Sequence, residues 1–216
     1  MELDQLPDHI VYSKNVIEFV TVVAETCLFL EHACEFPKVD FVQKSVKILP
    51  LLYLKASMVE IPPLAYEDNV EKFVTEDDYL YVKEQLEILL GADDTYLEVF
   101  HPDMALSDTP IAAFVSEGLA DVYQELKDFA ANYQLGDIDS MNDSMVVCLE
   151  AFVEHWGQKL LNALRALHAL CYSHGFGKDD EDGAERADLP ATPKKFKAAF
   201  LDFQQSDEDG LDNLLY

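Results

Sequence analysis

The chain has 216 residues, enough for one large domain or a domain with a tail, and half of them are hydrophobic, as expected of a folded protein with a sizeable core. Forty-two acids against fifteen bases give a formal charge of −27. That balance disfavours bare nucleic acid and anionic membrane surfaces, since both need a positive footprint, and it leaves either simple solubility or a basic protein partner.

The first twelve residues are a polar lead without a basic n-region, so they do not read as a signal peptide. Ser13 or Asn15 can cap a first helix reaching about Glu35, with Val16, Val20, Val23, Cys27, Leu30 and Cys34 inward. Glu18 and Glu25 break its apolar run, which excludes a membrane span. Asp40 can cap a second helix with Val42, Val46, Leu49 and Tyr53 inward, and Pro50 should kink or split it. Residues 70–74 suit a short helical turn. Glu76, Asp77 and Asp78 suit the start of a third helix, which runs to Leu90 and stops at Gly91, with Tyr79, Val82, Leu86 and Leu89 inward.

Residues 92–109 lack periodicity and read as loop, because Thr95–Phe100 has no obvious partner strand. Ser107 and Pro110 open a fourth helix with Val115, Leu119, Val122, Leu126, Phe129 and Tyr133 inward, ended by Gly136. Asp139 or Ser140 caps the longest helix, to about Ser173, with Leu149, Val153, Trp156, Leu160, Ala163, Leu167 and Leu170 inward. Helices without strand alternation give an all-α fold, a helical bundle of five main helices plus a short C-terminal helix. The bundle is expected over 1–175, an acidic flexible linker over 176–192, and a short helix with an acidic tail over 193–216. The four cysteines form no CxxC pair and fit small core hydrophobes in a reducing cytoplasm.

The strings LADVYQELKDF and HWGQKLLNALRALHAL carry a resemblance. Over about 75–172 the chain resembles a bacterial all-helical family known only as a domain of unknown function. The resemblance implies a helical bundle in a bacterial cytoplasm and supplies no activity.

Four constellations carry candidate chemistry. Glu117, Asp121, Glu125 and Asp128 share an arc of about 80° on the fourth helix. Such carboxylates suit Mg²⁺, but the arc faces mostly away from the core stripe and reads first as a solvated face. His168, Cys171 and His174 are zinc-type ligands spread over about 120°, too wide for one ion. Glu18, Glu25 and His32 on the first helix can meet Glu154 and His155 on the fifth in a Glu–His pair. Tyr123, Trp156, Gly157 and Arg165 read as a polar clasp between helices four and five, with Arg165 pairing to Glu125 or Asp128. The binding candidates are therefore Tyr123, Glu125, Asp128, His155, Trp156 and Arg165, with no catalytic residue, metal or cofactor assigned. Two functions follow: a non-enzymatic interaction protein for a basic partner, whose SDEDGLDNLLY end can dock as a short motif, or a divalent-metal-dependent hydrolase of a small phosphorylated substrate using the helix-borne carboxylates.

Overall fold

The computed structural model describes residues 9–66, 70–98 and 111–177. The expected linker beyond 177, the short helix over 194–203, the tail, and the proposed openers Ser107 and Pro110 lie outside the described residues. The fold is predominantly all-α. Six helical segments, α1 (Lys14–Glu31), α2 (Lys38–Ser57), α3 (Glu76–Leu90), α4 (Val115–Gln134), α5 (Ile138–Ala151) and α6 (Gly157–Cys171), correspond to the five expected helices, because α5 and α6 are joined through a π-turn at Phe152–Trp156. A small antiparallel pair, β1 (Thr95–Leu97) and β2 (Ala112–Phe114), completes it.

The start signals work where the cap is local. Ser13 accepts from the Val16 amide at the head of α1. Thr75 and Asp78 form a reciprocal capping box at α3. At α5 the cap is Asp137 rather than the expected Asp139 or Ser140; it accepts from the Ser140 amide, which places Asp139 and Ser140 inside the first turn. Gly136 follows α4 with φ +77°, a conformation that favours glycine.

α4 is the centre. It packs on α1, α3, α5 and α6, while α2 packs on α1 and α6. Val115, Leu119, Val122, Leu126 and Phe129 are buried as expected, and Phe129 stacks on Phe19 of α1 at 5.4 Å between ring centroids. Cys27 and Cys148 are buried, and burial pushes the Cys27 thiol up to about 12, which suits a core hydrophobe.

Other expectations also need correction. α2 starts at Lys38 behind Pro37, without a side-chain cap, so the expected cap Asp40 lies in its first turn. Of the two outcomes expected at Pro50, a kink or a split, the split does not occur: α2 runs unbroken past it, with Leu49 and Leu52 on either side anchored in the core. Residues 70–74 form no helical turn, because the Phe73 and Val74 amides donate to Asp128 instead of to preceding carbonyls. Thr95–Leu97 does have a partner strand, in register Thr95↔Phe114 and Leu97↔Ala112. That partner takes residues 112–114 away from the fourth helix, which starts only at Val115. Its N-cap, Phe114, offers no side-chain acceptor, so Asp94 reaches across, 2.7 Å from both the amide and the hydroxyl of Ser116. Finally, Val153 is 71% exposed, because the wide turn at Phe152–Trp156 rotates it out of the stripe that includes Leu149 and Trp156.

Candidate functional site: polar clasps around α4 and α5

The polar residues expected at the core boundary are largely turned inward. Asp128 is 4% exposed. Its Oδ1 accepts from the Phe73 and Val74 amides at 2.7 and 2.9 Å, and its Oδ2 lies 3.2 Å from Lys72 Nζ. That Oδ2 is buried without a well-directed hydrogen bond, so Lys72 meets it as a charge rather than as an aligned donor. Glu125 lies 3.6 Å from the same ammonium. Burial opposes the charge on Lys72, but Glu125 and Asp128 outweigh it and hold the lysine above its ordinary range. A cavity of about 10 Å³, room for one water, lies among Lys72, Glu125, Asp128 and Ser144.

One turn on, Asn132 donates to the Glu71 carbonyl at 2.9 Å. The same device recurs on α5. Asp143 accepts from the Ala65 and Tyr66 amides at 2.6 and 2.9 Å, and Asn142 donates to the Pro63 carbonyl at 2.9 Å. Each clasp is one aspartate taking two successive amides and one asparagine holding a carbonyl two residues upstream of the first. Together they fasten the connection between α2 and α3, whose described residues from 59 to 75 have no regular structure, onto α4 and α5. A connection lying against the core needs partners for its backbone groups, and these four side chains supply them. Burial opposes ionisation of Asp143, but the hydrogen bonds from Ala65, Asn142 and Tyr66 prevail and hold its carboxyl below the usual range.

Tyr123 is buried and donates to Glu31 Oε1 at 2.9 Å, and Lys127 meets the same oxygen at 2.7 Å. Burial and the Glu31 charge push the phenol far above its ordinary range, so it stays a donor. Tyr123→Phe is expected to cost about 1 kcal/mol in urea unfolding, with the charge pair retained. Trp156 is fully buried, and its indole donates to the Cys148 carbonyl at 2.8 Å. It is a core anchor.

The remaining candidates separate. Arg165 is exposed, and Lys72 takes the role expected of it toward Glu125 and Asp128. His155 and Glu154 are exposed, while Glu18 pairs with Lys55 and His32 with Glu35, so the expected Glu–His meeting is replaced by other pairs. Asp121 accepts from Tyr79 and pairs with Lys159 at 3.1 Å, and of its set only Glu117 is exposed. The arc on α4 is thus mostly an internal interface, not a solvated face. Among the described residues no group of three or more His, Cys, Asp or Glu is placed to hold a metal ion. Asn132, Asn142 and Asp143 are absent from the candidates read from sequence, though polar residues in the register of buried ones (Asn132 follows Phe129 by one turn) are a readable signal.

The fold and these clasps define a predominantly all-α scaffold whose internal carboxylates are spent on its own backbone amides, tyrosines and lysines. The chain belongs to the family described as a domain of unknown function, DUF5063, whose model matches residues 10–173. It is similar to the crystal structure of the protein BF1032 from Bacteroides fragilis, with 43% identity and a TM-score of 0.68, covering 76% of this chain and 97% of that one. No curated protein matches it. No helix among the described residues is long and apolar enough to cross a membrane.

Proposed function

We propose that the chain is a non-enzymatic helical interaction protein of the cytoplasm that takes a basic protein partner. The outer face of α3 carries this reading. Asp77, Leu80, Glu84, Glu87 and Ile88 are exposed and fall within an arc of about 100°. Leucine and isoleucine set among carboxylates suit a helix that offers apolar residues flanked by lysine or arginine. At low salt the net charge of −27 adds long-range attraction for such a partner, and at physiological salt the carboxylates of this face carry it. The hydrolase reading draws less support, because backbone amides, tyrosine and lysine already occupy Asp121, Glu125 and Asp128.

The test uses a labelled helical peptide with leucines at three–four spacing and lysines on its flanks. Binding should weaken at least tenfold with added salt, and Glu84→Lys with Glu87→Lys should weaken it by about tenfold. Reversing Glu150 and Glu154, equal in charge but on another element, should cost clearly less. Equal effects from the two pairs would reduce the binding to undirected charge attraction and remove the reading.

A further inference from the structure

The outer face of α2 has the opposite character. Lys44, Lys47, Leu51, Leu54 and Met58 follow one another by three, four, three and four residues. They share an arc of about 80°. All five are exposed; Leu51 is 43%, Leu54 52% and Met58 44% accessible. The opposite face of α2 is already spent on α1 and α6. The apolar line continues past the helix end in Ile61, also exposed. Three–four spacing is the pattern by which one helix seats another, and here it lies on the outside of the bundle.

The local charge selects the occupant. α2 holds four lysines and one acid, in a chain that is otherwise strongly acidic. Lys38 pairs with Asp93 and Lys55 with Glu18, whereas Lys44 rests over the Phe36 ring and Lys47 faces solvent. Asp40, also exposed, falls within the same arc at the start of the helix, but Lys44 and Lys47 outnumber it and adjoin the leucines, so an acidic partner is favoured over a basic one here. Two copies packed in parallel bring lysine toward lysine, and two packed antiparallel set Lys44 and Lys47 against Met58 and Leu54, so neither arrangement supplies the lysines with carboxylates. At physiological salt, screening over about 8 Å confines the comparison to the face itself, despite the acidic remainder. We infer that the outer seam of α2 is a docking site for an acidic amphipathic helix of another protein, its leucines seated on Leu51, Leu54 and Met58 and its carboxylates on Lys44 and Lys47.

The test is fluorescence anisotropy of the full chain with a labelled peptide of about 18 residues, carrying leucines at three–four spacing and glutamates on the flanks. Lys44→Glu with Lys47→Glu, and Leu51→Gln with Leu54→Gln, should each weaken binding by about tenfold or more. The substituted side chains are exposed, so circular dichroism should stay unchanged. Glu84→Lys with Glu87→Lys on α3 should leave this affinity within about twofold, which separates the seam from the face proposed for a basic partner. Three results would overturn the inference: equal affinity for a peptide of the same composition with its leucines scrambled, indifference to the α2 variants, or a dimer in sedimentation that Leu51→Gln with Leu54→Gln dissolves. The last would assign the seam to a second copy.

Discussion

Asp143→Ala is expected to lower the unfolding free energy by about 2–4 kcal/mol. The carboxylate accepts from two backbone amides and from Asn142, and it is buried. Truncation leaves Ala65 and Tyr66 without their acceptor, and an unpaired buried donor costs about 1–3 kcal/mol. The connection can swing into solvent, which keeps the loss below the sum of two such penalties. Asp143→Asn retains the shape and one acceptor oxygen and should cost about half as much. The pH dependence has a fixed sign. The folded carboxyl lies below its unfolded value, so the unfolded chain binds more protons between the two, and stability rises with pH there. The contribution is complete above the unfolded value, near pH 4, and is lost as pH falls through the folded one. Asp143→Asn should therefore flatten part of the acid limb. An acid limb identical to that of the unaltered protein would mean that Asp143 does not hold the connection in solution. Asp128→Ala frees the Phe73 and Val74 amides of the same connection, so the double variant should lose less than the two single losses added.

Gly157→Ala gives the second large effect and sets two physical rules against each other. Helix propensity alone predicts a gain of about 1 kcal/mol, since glycine inside a helix is poor. The π-turn reverses that. A Cβ on Gly157 would stand 2.5 Å from the Phe152 carbonyl oxygen and 2.9 Å from its ring. The Gly157 amide also donates to that carbonyl, so the oxygen cannot retreat without losing the bond that defines the wide turn. Phe152 packs on Trp156 and on Tyr53 of α2, so its ring is held from both sides. Overpacking of this kind costs about 1–3 kcal/mol, and contact with backbone puts the net loss at about 2 kcal/mol. Urea unfolding followed by Trp156 fluorescence reads it directly. A variant as stable as the parent would show that the turn relaxes to ordinary α-helix at little cost.

These two residues mark where sequence stops being legible. The helices follow from local periodicity, and the ends capped by Ser13, Thr75 and Gly136 follow from local chemistry. The head of α4 does not, because its cap, Asp94, stands on the far side of a hairpin. The strands are three residues each, too short for alternation to register. Gly157 stands out in the sequence as a glycine inside a helical pattern, yet the close contact that needs it is with its own preceding turn, which α-helical geometry excludes. At the clasps, the sequence marks Tyr123, Glu125, Asp128 and Trp156 as polar groups at the core boundary. The partners of Tyr123, Glu125 and Asp128 are not legible, because Glu31, Lys72 and the amides of Phe73 and Val74 are distant in the chain. Arg165 and Lys72 offer the same charge to the same carboxylates, and only the path of the connection chooses between them.

The buried carboxylates of Asp128 and Asp143 hold the α2–α3 connection. Hydrogen exchange at the amides of Ala65, Tyr66, Phe73 and Val74, with and without millimolar Mg²⁺ or Mn²⁺, tests it most directly. Slow exchange at all four, unchanged by metal and accelerated at Ala65 and Tyr66 by Asp143→Asn, is the predicted result. Fast exchange without metal, or metal-induced deprotection together with a raised Tm, would contradict it and return Glu125 and Asp128 to a catalytic reading.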